Sequence, residues 1–306
     1  MRKHFRSRVV GAALIGLALI VSACGDDTGS GGDTKVGPAI TIGSTNFGEQ
    51  LILGEIYAQV LEANGYTVER QFNLGDREVV YPALTGGQID LIAEYTGSLL
   101  TYKQGTPSTD SDQTAADMQA AIAADGLTAL AYAPAQDRNG IVVTADTAAS
   151  LGLSKVSDLA AHNGELTFGG PPECPERPLC LVGLQDLYGL EFAGFTPLDV
   201  GGPLTVAALE GGEIDVALLF TSDGVIAAKG FVLLEDDMNL QPSENVVPVV
   251  RNEIITAYGS EFTDLLDSVS AKITTAELSA LNKRYGIDAV DADVLAREWL
   301  TANGFL

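Results

Sequence analysis

The chain has 306 residues, 17 Lys+Arg against 41 Asp+Glu, and a formal net charge of −24. Nucleic acids are bound through a basic field that displaces phosphate counterions, so a chain this acidic is excluded as a nucleic-acid binder. A hydrophobic content of 46 % with 12 prolines is that of a folded globule, long enough for one large domain or two of ordinary size.

At the amino terminus Arg2, Lys3, Arg6 and Arg8 precede an apolar run from Val9 to Val21. A charged start before a short apolar run is the layout of a secretory leader, and at about 1.5 Å per residue the run is too short for a comfortable membrane span. Val21-Ser22-Ala23-Cys24 closes it and resembles the lipobox at which bacterial lipoproteins are cleaved and acylated. The expectation is therefore a leader over residues 1–23, a lipidated Cys24, and a flexible polar tether over 24–38, rich in Gly and Asp. Acyl chains contribute about 0.8 kcal/mol per buried methylene, enough for two or three of them to hold the chain at the outer face of the bacterial cell membrane.

Next in order, Ala39-Ile40-Thr41-Ile42-Gly43-Ser44 predicts an apolar strand ending in a small-residue loop. Glu49 to Asn64 predicts a helix with Leu51, Ile52, Ile56, Val60 and Leu61 on one face and Gly65 as its stop. Ser44, Thr45 and Asn46, between the two, either cap that helix or offer donors to a ligand. Ala83 to Gly97 then reads as a helix end, a Gly86-Gly87 stop, an acidic turn and an apolar strand.

The same sentence is repeated later in the chain. Ala208 to Ser222 echoes Ala83 to Gly97 at an offset of 125, and Glu165-Leu166-Thr167-Phe168-Gly169-Gly170 echoes the first strand at 126, followed by a helix from Leu181 to Tyr188 that Gly189 ends. Two α/β units of related build are expected, with too few copies for a solenoid. In open α/β sheets ligands sit beyond the carboxyl ends of strands. Tyr95 and Phe220, equivalent in the two copies, and Thr96 and Thr221 after them, are therefore candidates for a shared cleft. The two aromatics are either a clamp or ordinary core.

Cys174 and Cys180 flank Pro175-Glu176-Arg177-Pro178-Leu179, so in an exported chain they form either a disulfide stiffening this loop or two buried thiols. With His4 in the leader, His162 is the one imidazole left, too few for a His-rich metal site and a thin basis for a catalytic triad. A helix from about Asp291 to Ala302 carries Trp299, read as a packing anchor.

Five ordered blocks, Ile42 to Gln50, Arg77 to Leu84, Glu94 to Gly97, Val232 to Asp237 and Pro248 to Arg251, resemble the substrate-binding proteins of osmoprotectant ABC importers. The resemblance implies an α/β, two-lobed, type II periplasmic-binding-protein fold with a two-segment hinge. Lobe I would be 40–139 plus 222–306 and lobe II 140–221, with crossings near Asp137 to Gly140 and Thr221 to Gly224. It places Tyr95, Asn139, Phe220 and Glu244 at the ligand cage, and Arg177 opposite a ligand carboxylate. It further implies capture of a quaternary ammonium osmoprotectant such as glycine betaine, choline or carnitine by a monomer that hands it to a permease and ATPase. No catalysis, cofactor or metal is implied. Because only two of the four cage positions are aromatic, a polyol, sugar-like or phenolic ligand is the alternative, as is a sensing lipoprotein with no transport partner.

Overall fold

The computed structural model describes residues 34–306; Cys24 and the leader lie outside the described residues. The chain first lays down β1 (Ile40–Gly43), α1 (Gly48–Ala63), β2 (Val68–Gln71), α2 (Arg77–Thr85), β3 (Leu91–Tyr95), α3 (Thr96–Tyr102), α4 (Ser111–Ile122) and β4 (Leu127–Ala129). It continues through β5 (Asn139–Val143), α5 (Ala145–Leu151), β6 (Thr167–Gly170), α6 (Leu181–Tyr188), β7 (Gly194–Pro197), α7 (Pro203–Gly211), β8 (Val216–Phe220), α8 (Gly224–Lys229) and β9 (Val232–Leu233). The last part is β10 (Val246–Arg251), α9 (Asn252–Tyr258), α10 (Ser260–Ser270), α11 (Thr275–Gly286) and α12 (Ala292–Ala302).

These strands form two five-stranded sheets, ordered β2-β1-β3-β10-β4 and β7-β6-β8-β5-β9. In each, the first three are parallel and the fourth runs antiparallel. The antiparallel strand is in both cases the one the chain makes on arriving from the other sheet, β5 in the second and β10 in the first. That exchange is what ties the two lobes by two chain segments.

The internal echo survives to the level of single hydrogen bonds. Asp90, before β3, accepts from the Thr41 amide at 2.9 Å and returns its own amide to the Thr41 carbonyl at 2.7 Å. Asp215, before β8, does the same with Thr167 at 2.8 and 3.0 Å.

Both faces of each sheet are covered, so strand residues alternate between two apolar clusters rather than between core and solvent. Leu91, Ala93 and Tyr95 pack with α1, α10 and α12 on one face, whereas Ile92 joins Leu84, Leu99 and Met118 on the other. Ile141 and Val143 pack around Phe168, and Val142 faces Leu209 and Leu219. Helix α1 is buried nearly all round, and its Glu55 is met by Arg70 at 2.9 Å. Trp299 is buried in the first core and its indole donates to Glu277 at 2.8 Å.

Val232 and Leu233 pair with Val143 and Val142 of the second sheet, so the stretch after Phe220 extends that sheet before the chain returns toward β10. The Thr221 amide does bond to the Arg138 carbonyl, and the Asp137 amide to that of Glu244, which brings both connecting segments side by side. Among the described residues, no helix is long and apolar enough to cross a membrane.

Candidate functional site

The carboxyl ends of β1, β3, β6 and β8 open toward one cavity of about 380 Å³, bounded by Thr45, Asn46, Phe47 and Tyr95 from the first sheet's side and by Pro171, Leu179 and Phe220 from the second's. Each is placed by the local fold. Thr45 to Phe47 bridge β1 and α1; Tyr95 ends β3; Pro171 to Leu179 is the loop that leaves β6; Phe220 ends β8. Cys174 and Cys180 form a disulfide across that loop, with Cα atoms 5.2 Å apart.

The aromatics do not face each other as a simple pair. Phe47 lies between them, its ring centroid 6.2 Å from Tyr95 and 5.9 Å from Phe220, with both neighbours within about 25° of parallel. The Tyr95 hydroxyl donates to Glu49 at 2.6 Å, which fixes its ring, and burial beside that carboxylate pushes its pKa well up. Tyr102 adds a fourth aromatic to the lining. Phe47, on the loop before α1, and Tyr102, at the end of α3, are not marked by the sequence, because a cage inferred from aligned positions does not show rings that other elements bring to it.

The cavity is acidic. Asp76, Glu78, Glu94, Asp137, Glu173 and Glu244 line it, against Arg77 and Arg177. Arg77 is already spent on Glu94, holding both its oxygens at 3.0 and 2.8 Å in a forked pair. Glu244 is buried, accepts from the amide and hydroxyl of Ser98 at 3.0 and 2.7 Å at the start of α3, and is pushed up to about 7, chiefly by burial.

The remaining expected residues fall into two groups. Asn139 lines the cavity with its amide donating to the Leu179 carbonyl at 2.8 Å, so it braces the disulfide loop. Arg177 also lines it, but its guanidinium lies 3.8 Å from Glu78 and 3.7 Å from Glu173, bridging the rim where a ligand carboxylate was expected. Ser44, Thr96 and Thr221 are outside the lining. Ser44 takes the Asn73 amide, Thr96 takes the Asn245 amide, and Thr221 takes the Arg138 amide, each hydroxyl being absorbed by backbone. His162 ends a short 3-10 helix, 3.3 Å from Glu165, and is outside the lining of the cavity.

Two polar groups in the lining have no partner among the described residues: the Thr45 hydroxyl and both amide atoms of buried Gln50. Gln50 lies close enough to the Tyr95 hydroxyl to draw its pKa down, yet in no hydrogen-bond geometry with it. Buried polar groups are rarely left unsatisfied, which sets these two apart from the other polar side chains of the lining. Gln50 falls on the buried side of a helix whose sequence marks it only as first-turn, which is why pattern did not single it out.

The substrate binding domain of the ABC-type glycine betaine transport system matches residues 38–302. A glycine-betaine-binding protein of Pseudomonas aeruginosa is 30 % identical over 277 residues, 87 % of this chain and 88 % of its own. A carnitine transport binding protein of Listeria monocytogenes is 28 % identical over 316 aligned positions, spanning 100 % of this chain and 98 % of that one. A solved structure described as a glycine betaine/carnitine/choline ABC transporter superposes with a TM-score of 0.75 at 25 % identity, covering 87 % of this chain and 99 % of that chain.

Proposed function

The chain belongs to the family of substrate-binding domains of ABC-type glycine betaine transport systems, and from that premise we propose that it captures a quaternary ammonium solute outside the cytoplasm and delivers it to a permease driven by an ATPase. The observation that carries the ligand class is the stacked run Tyr95, Phe47, Phe220 beside the buried Glu244 carboxyl. A cation without N–H donors is recognised by π faces and by nearby carboxylates that replace its lost hydration, and this wall supplies both. The unpartnered Gln50 amide and Thr45 hydroxyl would take the ligand's polar end. They are also what favours the second reading, a neutral polyol or phenolic ligand.

The lobes are proposed as 40–134 with 246–306, and 139–240, the segments between them forming the hinge. The chain performs no covalent step in this account, works as a monomer, and is held to the membrane by acyl groups on Cys24. Binding energy would go into closing the lobes, since Phe47 and Phe220 come from opposite ones.

Thermal unfolding with glycine betaine, choline, carnitine, polyols and phenolics tests the ligand class. A true ligand at 100 times its Kd stabilises by about 2.7 kcal/mol, a shift of a few degrees. A shift with a polyol and none with any quaternary amine would select the second reading. Phe47→Ala is expected to weaken amine binding by roughly tenfold or more, the scale of a desolvated cation–π contact, and an unchanged Kd by calorimetry would leave Phe47 as mere filler.

A further inference from the structure

Beside the connecting segment that carries Asp137, Ser222 Oγ lies 2.6 Å from Glu49 Oε2 and 2.7 Å from Asp137 Oδ1. A hydroxyl has one proton to give. It can satisfy one carboxylate at that distance; the other contact sets lone pair against lone pair unless that carboxyl carries a proton of its own. Glu49 is already supplied, taking the Tyr95 hydroxyl on Oε1 and the Asn282 amide on Oε2, both at 2.6 Å. Asp137 Oδ1 has, besides the hydroxyl, only the Ser222 amide at a long 3.3 Å, so the proton belongs on Asp137, which gives it to Ser222 while Ser222 gives its own to Glu49.

The surroundings agree. Glu49 from α1, Tyr95 from β3, Asp223 and Ser222 from the segment before α8, Asn282 from α11 and Glu244 before β10 all face this cluster. Among the described residues no basic side chain pairs with Glu49 or Asp137. Burial and the neighbouring Glu49 hold Asp137 well above the ordinary carboxyl range. Asp137 also lines the cavity, so it sees whatever enters.

We propose that the Glu49–Ser222–Asp137 cluster holds one proton and releases it to solvent when a ligand of net positive charge enters the cavity, so that capture of a choline-like monocation is a cation-for-proton exchange. The inference rests on the quaternary ammonium reading and specifies its charge. The exchange balances: the O–H bond of Asp137 breaks, the proton leaves for bulk water, and the new carboxylate faces the ammonium, keeping the net charge of the site constant. Both arginines in the lining already face carboxylates, which leaves no counter-charge for a second anion.

Calorimetric titration of the protein with choline and with tetramethylammonium, in phosphate, HEPES and Tris at one pH, tests this. The expected result is an observed enthalpy linear in buffer ionisation enthalpy, with a slope of about one proton released, and a Kd that falls roughly tenfold per pH unit while the cluster is protonated. Asp137→Asn, whose amide can donate to Ser222 as the acid does, is expected to bind these cations more weakly and with no buffer dependence; Asp223→Asn, outside the lining, is expected to keep the release. Measurable heats that are equal in all buffers overturn the exchange, and release kept in Asp137→Asn overturns its assignment to the cluster. No binding of any quaternary amine, with a polyol bound instead, overturns the ligand class itself.

Discussion

Glu244, Glu49, Asp137 and Asp223 are all carboxyls raised chiefly by burial, Glu244 to about 7 and Asp223 to about 6. A carboxyl raised in the folded state binds protons there that the unfolded chain, with ordinary values of about 4, has already lost. Unfolding then releases protons over this window, and stability falls as pH rises through it. The thermal midpoint should accordingly climb as pH is lowered from about 7.5 to about 5.5, and Glu244→Gln should flatten that climb. A midpoint that drops on acidification over this range would mean these groups are ionised in the fold. Such behaviour is not legible in the sequence, where Glu244 is one acid among 41 Asp+Glu; the Ser98 that donates to it is 146 positions away along the chain.

At the scale of elements, the helices that the sequence predicts stand nearly where expected. Glu49 to Asn64 is realised as Gly48–Ala63, and Leu181 to Tyr188 is found as read, ended by Gly189 at φ 65°, a conformation costly for residues with a side chain. What no local pattern announces is how elements meet. At the start of α8, a Cβ on Gly224 would lie 2.3 Å from the Ser279 carbonyl and 2.5 Å from Lys283 of α11. Gly224→Ala must push α8 and α11 apart, and is expected to cost about 1–3 kcal/mol, the usual range for overpacking. Chemical denaturation would measure it; an unchanged midpoint would mean that α8 and α11 part without cost.

For the whole molecule, the lobes touch across the cavity through Phe47 on Phe220 and through Arg177 between Glu78 and Glu173. Ligand contacts drawn from both sides favour the closed arrangement only to the extent that they are lost on opening. Saturating ligand should therefore lower the radius of gyration in solution scattering, and identical profiles with and without ligand would argue against a hinged capture. The twofold plan itself was open to inspection in the chain, because helix stop, acidic turn and buried strand are local grammar and were written twice, at 83–97 and 208–222. The aspartates that repeat in both copies even make the same backbone bonds. By contrast, the exchange of β5 and β10, the place of β9 in the second sheet, Phe47 between the aromatics, and the proton shared around Ser222 are products of approach between segments distant in sequence. Periodicity and turn chemistry act over a few residues and fix which elements form; which side chains lose water together is decided only when those elements pack, and it is that loss which sets the charge and chemistry of the cavity.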